Sequence, residues 1–180
     1  MLFRSGKINA STGGNIVMAG GSAISLPSNS VVNKVSNQPY SGNINVFFSS
    51  HKTDDAEFSK KQPGSNIAIN LQQQKTFLNP YSYASTELIG NSGEQLQIAS
   101  GKKAVLKFPI PTTRLANAPS SVKCWYLNDS TGIWQEEGFA TKVGNFYVAD
   151  VSHFSYWIVA DPINDVCDFS VRYLNQNGES

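Results

Sequence analysis

His153 and Ser155 flank Phe154 in the run Val151-Ser152-His153-Phe154-Ser155-Tyr156-Trp157. A hydroxyl directly after a carbonyl, with an imidazole just before it, suits a peptide bond that cuts itself. The Ser155 hydroxyl would add to the Phe154 carbonyl while His153 takes its proton, turning the amide into an ester that water then opens. Strain at the bond would lower the barrier. Strand geometry sets a condition on this chemistry. Residues i and i+2 of a regular strand lie about 6.5–7 Å apart on one face, but a nucleophile–base hydrogen bond spans about 2.6–3.2 Å. The pair can cooperate only if the backbone bends between 153 and 155. In a regular strand the same residues pack: Phe154, Tyr156 and Ile158 inward, and His153, Ser155 and Trp157 toward a second layer or solvent. Packing is the simpler reading, so no catalytic residue is assigned. His153, Phe154 and Ser155 stand as the self-cleavage candidates.

Aromatic side chains are the next groups with a chemical use, since flat rings stack on the apolar faces of sugars. Tyr81, Tyr83, Trp125, Tyr126, Trp134, Tyr147 and Trp157 are available, although strands are rich in aromatics for packing alone. Trp134 follows the turn Asp129-Ser130-Thr131-Gly132 and is expected to be the exposed one. Trp134 and Tyr126 are the ligand-binding candidates. Asp161, Asp165 and Asp168, or Asn128 with Asp129, could face a calcium ion, but neither set has the spacing of a calcium loop. Turn and capping duty explains them better, and no metal or cofactor is expected. His51 reads as a loop residue. Glu136-Glu137 are adjacent, so a strand sends them to opposite faces, and Asp54-Asp55 fall in a polar stretch. No nucleophile elbow, phosphate loop or dinucleotide fingerprint is present. Cys124 and Cys167 match no zinc pattern. Paired, they would close a loop of about 43 residues, worth roughly 3–4 kcal/mol in the chain-entropy model. A buried free thiol at Cys124 is equally natural.

The elements that must position these groups repeat with a period of two. Ile44, Val46 and Phe48 share one strand face, as do Ala104, Leu106, Phe108 and Ile110. The runs Ala23-Ile24-Ser25-Leu26, Val122-Lys123-Cys124-Trp125-Tyr126-Leu127 and Asn145-Phe146-Tyr147-Val148-Ala149-Asp150-Val151 read the same way. Gly, Pro and Asn turns separate them at short intervals. An all-β fold follows, an antiparallel β-sandwich of many short strands with little helix. One helical turn is expected at 113–118 before Pro119, and a surface loop or short helical excursion at 51–63. Ala160-Asp161-Pro162-Ile163-Asn164-Asp165 reads as a linker. The alternating run Asp168-Phe169-Ser170-Val171-Arg172-Tyr173 and the turn Asn175-Gln176-Asn177-Gly178 follow it. The expected division is a domain at 1–160, then at 161–180 a linker with the first strand of a following module or an extra edge strand.

Composition narrows the classes. The 180 residues are 40% hydrophobic and only 15% charged, with a net charge of +1. That balance leaves no electrostatic footprint for nucleic acid. Asn, Ser, Gly and Thr supply the polarity, as in many exported β-proteins. No run reaches the roughly 18 apolar residues of a membrane span. The first residues do not form a leader, so an exported parent would carry its leader elsewhere.

Two stretches carry a family resemblance. Gly13-Gly14-Asn15-Ile16-Val17-Met18-Ala19-Gly20-Gly21-Ser22-Ala23-Ile24-Ser25-Leu26-Pro27 resembles the opening of the ZU-type domain of zonula-occludens proteins, netrin receptors and ankyrins. Ser152-His153-Phe154-Ser155-Tyr156-Trp157 looks like the closing strand of its self-cleaving members. The middle of the chain is similar to a bacterial surface-protein family that looks like part of the cartilage intermediate layer protein. That likeness runs through Leu96-Gln97-Ile98-Ala99-Ser100-Gly101-Lys102, Phe108-Pro109-Ile110-Pro111, Trp125-Tyr126-Leu127-Asn128-Asp129-Ser130-Thr131-Gly132-Ile133-Trp134 and Glu136-Glu137-Gly138. The resemblance implies a β-sandwich module of a large exported protein, at the cell surface or outside the cell. Its partners would be neighbouring domains of the same parent, with a glycan or protein ligand as a further option. It implies no established activity. Residues 67–85 depart from the resemblance.

Overall fold

Strand periodicity governs residues 4–163, the residues described by this computed structural model. They form thirteen strands: β1 (Arg4–Asn9), β2 (Gly14–Val17), β3 (Ala23–Leu26), β4 (Val31–Asn33), β5 (Asn43–Lys52), β6 (Ile67–Ile69), β7 (Lys75–Ile89), β8 (Gln95–Ile98), β9 (Ala104–Pro109), β10 (Ser121–Asn128), β11 (Ile133–Val143), β12 (Phe146–Val151) and β13 (Tyr156–Ile163). The helical content is a single turn of α-helix, α1 (Phe58–Lys61), and a 3-10 turn at Leu115–Asn117. Both short excursions fall where sequence placed them. No helix among the described residues is long and apolar enough to cross a membrane.

The strands join in the order β1-β5-β7-β13-β10-β11-β12-β9-β3-β2, with β4, β6 and β8 as side branches. Pairing is antiparallel throughout, except that β6 runs parallel to β11. The two ends of this order, β1 and β2, are successive in the chain and bridged at Asn9 and Gly13. The sheet therefore curls back on itself into a sandwich. Its interior holds the main core, with Ile24, Ile44, Phe48, Leu106, Phe108, Tyr147 and Trp157 fully or nearly fully buried.

A second core lies on the outer face of β7, β13, β10 and β11. Tyr83, Trp125, Leu127, Trp134, Ile158 and Ala160 project outward there. The segment between β5 and β7 folds over them and contributes Phe58 from α1 and Ala68 from β6. Glu136 of β11 ties this cover down: it accepts the Leu71 backbone N–H at 3.3 Å and pairs with Lys123 at 2.7 Å. Residues 67–85, which depart from the resemblance, thus supply the cover strand and much of the longest strand, β7.

Three sequence expectations are corrected. Ala160-Asp161-Pro162-Ile163 is not a linker, because β13 runs to Ile163 and pairs there with Phe77 of β7. The expected inward set of Phe154, Tyr156 and Ile158 is also wrong. Trp157 and Val159 enter the main core, and Ile158 and Ala160 enter the outer one. The cause is a bend at 152–155, which spaces the inward residues Val151, Phe154 and Trp157 by three instead of two. His51 belongs to the end of β5, where its ring meets Tyr83 at a centroid distance of 5.4 Å. Asp165, Cys167, the run from Asp168 to Tyr173 and the turn from Asn175 to Gly178 lie outside the described residues. Cys124 is a buried free thiol, and burial pushes its pKa far up, which leaves it inert.

Candidate functional site

The bend that ends β12 and precedes β13 gathers the chemistry-bearing residues. Opposite it, β11 carries a bulge: Lys123 pairs with Phe139 but Trp125 with Glu136, so β11 holds one extra residue. Gly138 sits in that bulge at φ 80°. The extra residue reverses the facing of β11, so Trp134 points outward and Ala140 inward. It also separates the aims of the two glutamates. Glu136 serves the outer cover, and Glu137 reaches the bend.

Glu137 accepts a hydrogen bond from Ser152 Oγ at 2.6 Å and meets His153 Nε2 at 3.3 Å. The His153 and Glu137 side chains are 37% and 38% exposed, so the pair borders solvent. The His153 ring lies edge-on to Tyr126 at 4.7 Å and tilted against Trp157 at 4.9 Å. Trp157 Nε1 donates to the His153 carbonyl at 3.1 Å, which locks the bend onto the start of β13. Ser155 Oγ donates to the Leu127 carbonyl at 2.8 Å, which locks it onto the end of β10. An open depression of about 310 Å³ lies between the bend and the β10–β11 turn, lined by Tyr126, Asn128, Asp129, His153 and Ser155 among others.

The backbone does bend between 153 and 155, but the hydrogen bonds observed do not join the two candidates. Ser155 is held by Leu127, and His153 by Glu137. Phe154 packs partly against the main core. Of the binding candidates, Tyr126 is half-buried on the wall of the depression. Trp134 is not exposed: it is 0% accessible, and its Nε1 donates to the Ser65 carbonyl at 2.8 Å. The cover segment, invisible to strand periodicity, is what buries it. Trp125, Trp157, Tyr81, Tyr83 and Tyr147 are buried too.

Of the acidic candidates, Asp161 is engaged elsewhere, and Asp129 lines the depression. Asp161 accepts from Tyr81 at 2.8 Å and Arg114 at 3.1 Å. The Arg114 guanidinium also stacks over the Tyr81 ring at 3.5 Å and donates to the Pro80 carbonyl. Asn128 Oδ1 accepts the Ser130 N–H within its turn. No metal-ligating cluster is found among the described residues. Sequence reasoning missed Glu137 and the Arg114 clamp. Glu-Glu-Gly inside a strand run was the available signal for the bulge, whereas Arg114 reaches across too long a separation to be read locally. No family model, no curated protein and no solved structure matches the chain.

Proposed function

We propose that this chain is a non-catalytic structural or adhesion-type β-sandwich module of a larger exported bacterial surface protein, built on the ZU-type plan it resembles. The observation that carries this reading is how firmly the end of β13 is held. Its last residues stay paired to β7, Thr76 Oγ1 donates to the Ile163 carbonyl at 3.1 Å, and Arg114 and Tyr81 both hold Asp161. A strand end clamped on three sides is a firm base of the kind a tandem scaffold needs. Neighbouring domains of the parent are its partners. Protease treatment of intact cells tests the location: the module is degraded without lysis, and protection until lysis sinks the surface assignment.

A second reading is favoured by the bend at 152–155. In it the module is a self-processing domain that cuts its own Phe154–Ser155 bond once. Ser155 must first swing from the Leu127 carbonyl to His153. A denaturing gel separates the two readings. A single full-length band supports the scaffold, while two bands that merge on Ser155→Ala support self-processing.

A further inference from the structure

The depression between the bend and the β10–β11 turn has features that scaffolding alone does not require. Its walls are cross-linked. Ser155 Oγ ties the bend to Leu127, and the turn is braced by Asn128, whose side chain accepts the Ser130 N–H and whose carbonyl accepts the Gly132 N–H at 2.8 Å. Such a site is largely formed before anything enters it, which lowers the ordering cost of binding. Its volume of about 310 Å³ lies at the low end of the ~300–1,000 Å³ of small-molecule sites. That fits one ring rather than a chain.

The lining chemistry selects the class of ligand. Tyr126 and His153 supply aromatic surface, their rings at 87° to each other and steadied by Trp157. Asn128, Asp129 and Ser130 of the turn also line it, residues with an amide, a carboxylate and a hydroxyl. No Lys or Arg lines the depression, and Glu137 stands behind His153, so an anion meets no positive partner. Aromatic carbon together with neutral or acidic acceptors suits a ligand with an apolar face and many hydroxyl donors. We propose that this depression binds a single neutral sugar ring, the exposed end of a larger glycan. Because the Tyr126 and His153 rings stand at 87° to each other, one of them meets its apolar face and the other its edge, and Asp129 accepts from its hydroxyls. This goes beyond the scaffold reading and does not depend on it.

The reporter is the Trp157 indole N–H, which is bonded to the His153 carbonyl. Its nuclear magnetic resonance signal is followed while methyl glycosides of glucose, galactose, mannose and N-acetylglucosamine are titrated separately into the full chain. At least one should give a saturable shift at millimolar concentration. Asp129→Ala, on an exposed turn, should weaken it about tenfold, and Asp150→Ala on β12 should leave it unchanged. Three outcomes overturn the proposal: no glycoside shifts the signal, Asp129→Ala binds as tightly as the parent, or inorganic phosphate or an extended peptide gives the saturable shift instead. None of these touches the scaffold reading, which the gel and the intact-cell experiment decide.

Discussion

Tyr83 buries a hydroxyl that has no hydrogen-bond partner among the described residues, and only 2% of the residue is accessible. Such a group carries a desolvation cost that nothing offsets. Tyr83→Phe should therefore raise stability by about 1 kcal/mol, read as a higher urea midpoint. Burial, then the nearby Tyr156 and Asp55, pushes the Tyr83 phenol up to about 12. An unfolded tyrosine loses its proton near pH ~10. The folded state thus holds a proton that the unfolded state releases, and stability falls as pH rises between these values. The midpoint should be steady below that window and drop through it, less steeply in Tyr83→Phe. Part of the drop should persist, because burial also raises Tyr81 and Tyr147. Trp134 makes the converse case, a polar atom that is satisfied. Trp134→Ala should cost about 3–5 kcal/mol. Trp134→Phe keeps most of the apolar volume but leaves the Ser65 carbonyl without its donor, and it should speed amide exchange in β6.

At the scale of elements, two departures from regular strand create the site. The bulge at Gly138 swings Glu137 toward the bend, and the bend turns His153 toward Glu137. Gly138 has open space where a side chain would sit, so its constraint is the backbone alone. Gly138→Ala should cost about 1–2 kcal/mol through left-handed strain. It should also loosen the Glu137–His153 contact, which a changed chemical shift of the His153 ring protons would report. The strands themselves were legible. The runs around Ile44, Leu106, Cys124 and Tyr147 each became a strand, and the first two have the expected facing. The bend was legible only as a condition, because Val151 and Trp157 read as one continuous run until the spacing of three is known. Trp134 was misread because a turn just before a residue says nothing of a segment 60 or more positions away that covers it.

The whole molecule has two cores that share one set of strands. Neighbouring residues of β13 and β10 serve opposite cores, so neither core can dissolve without loosening the other's wall. Unfolding should be one cooperative transition. In one and the same chain, the indole resonances of Trp157, in the main core, and Trp125, in the outer core, should disappear at coincident midpoints in urea. Separate midpoints would show that the cover opens on its own. The outer core was hidden from sequence by the same strands that define it. A strand buried on both faces loses its polar–apolar alternation, and the run Trp157-Ile158-Val159-Ala160 shows neither face as outward.

The last described strand lies in the middle of the sheet, between β7 and β10. During synthesis these two strands must wait for it. In a nascent chain that has not yet released Tyr156–Ile163 from the ribosome, β7 and β10 each keep an open and largely apolar edge. Such edges invite pairing with other chains, and contacts this distant in sequence form slowly. Holding the chain unfolded until β13 has arrived avoids that exposure.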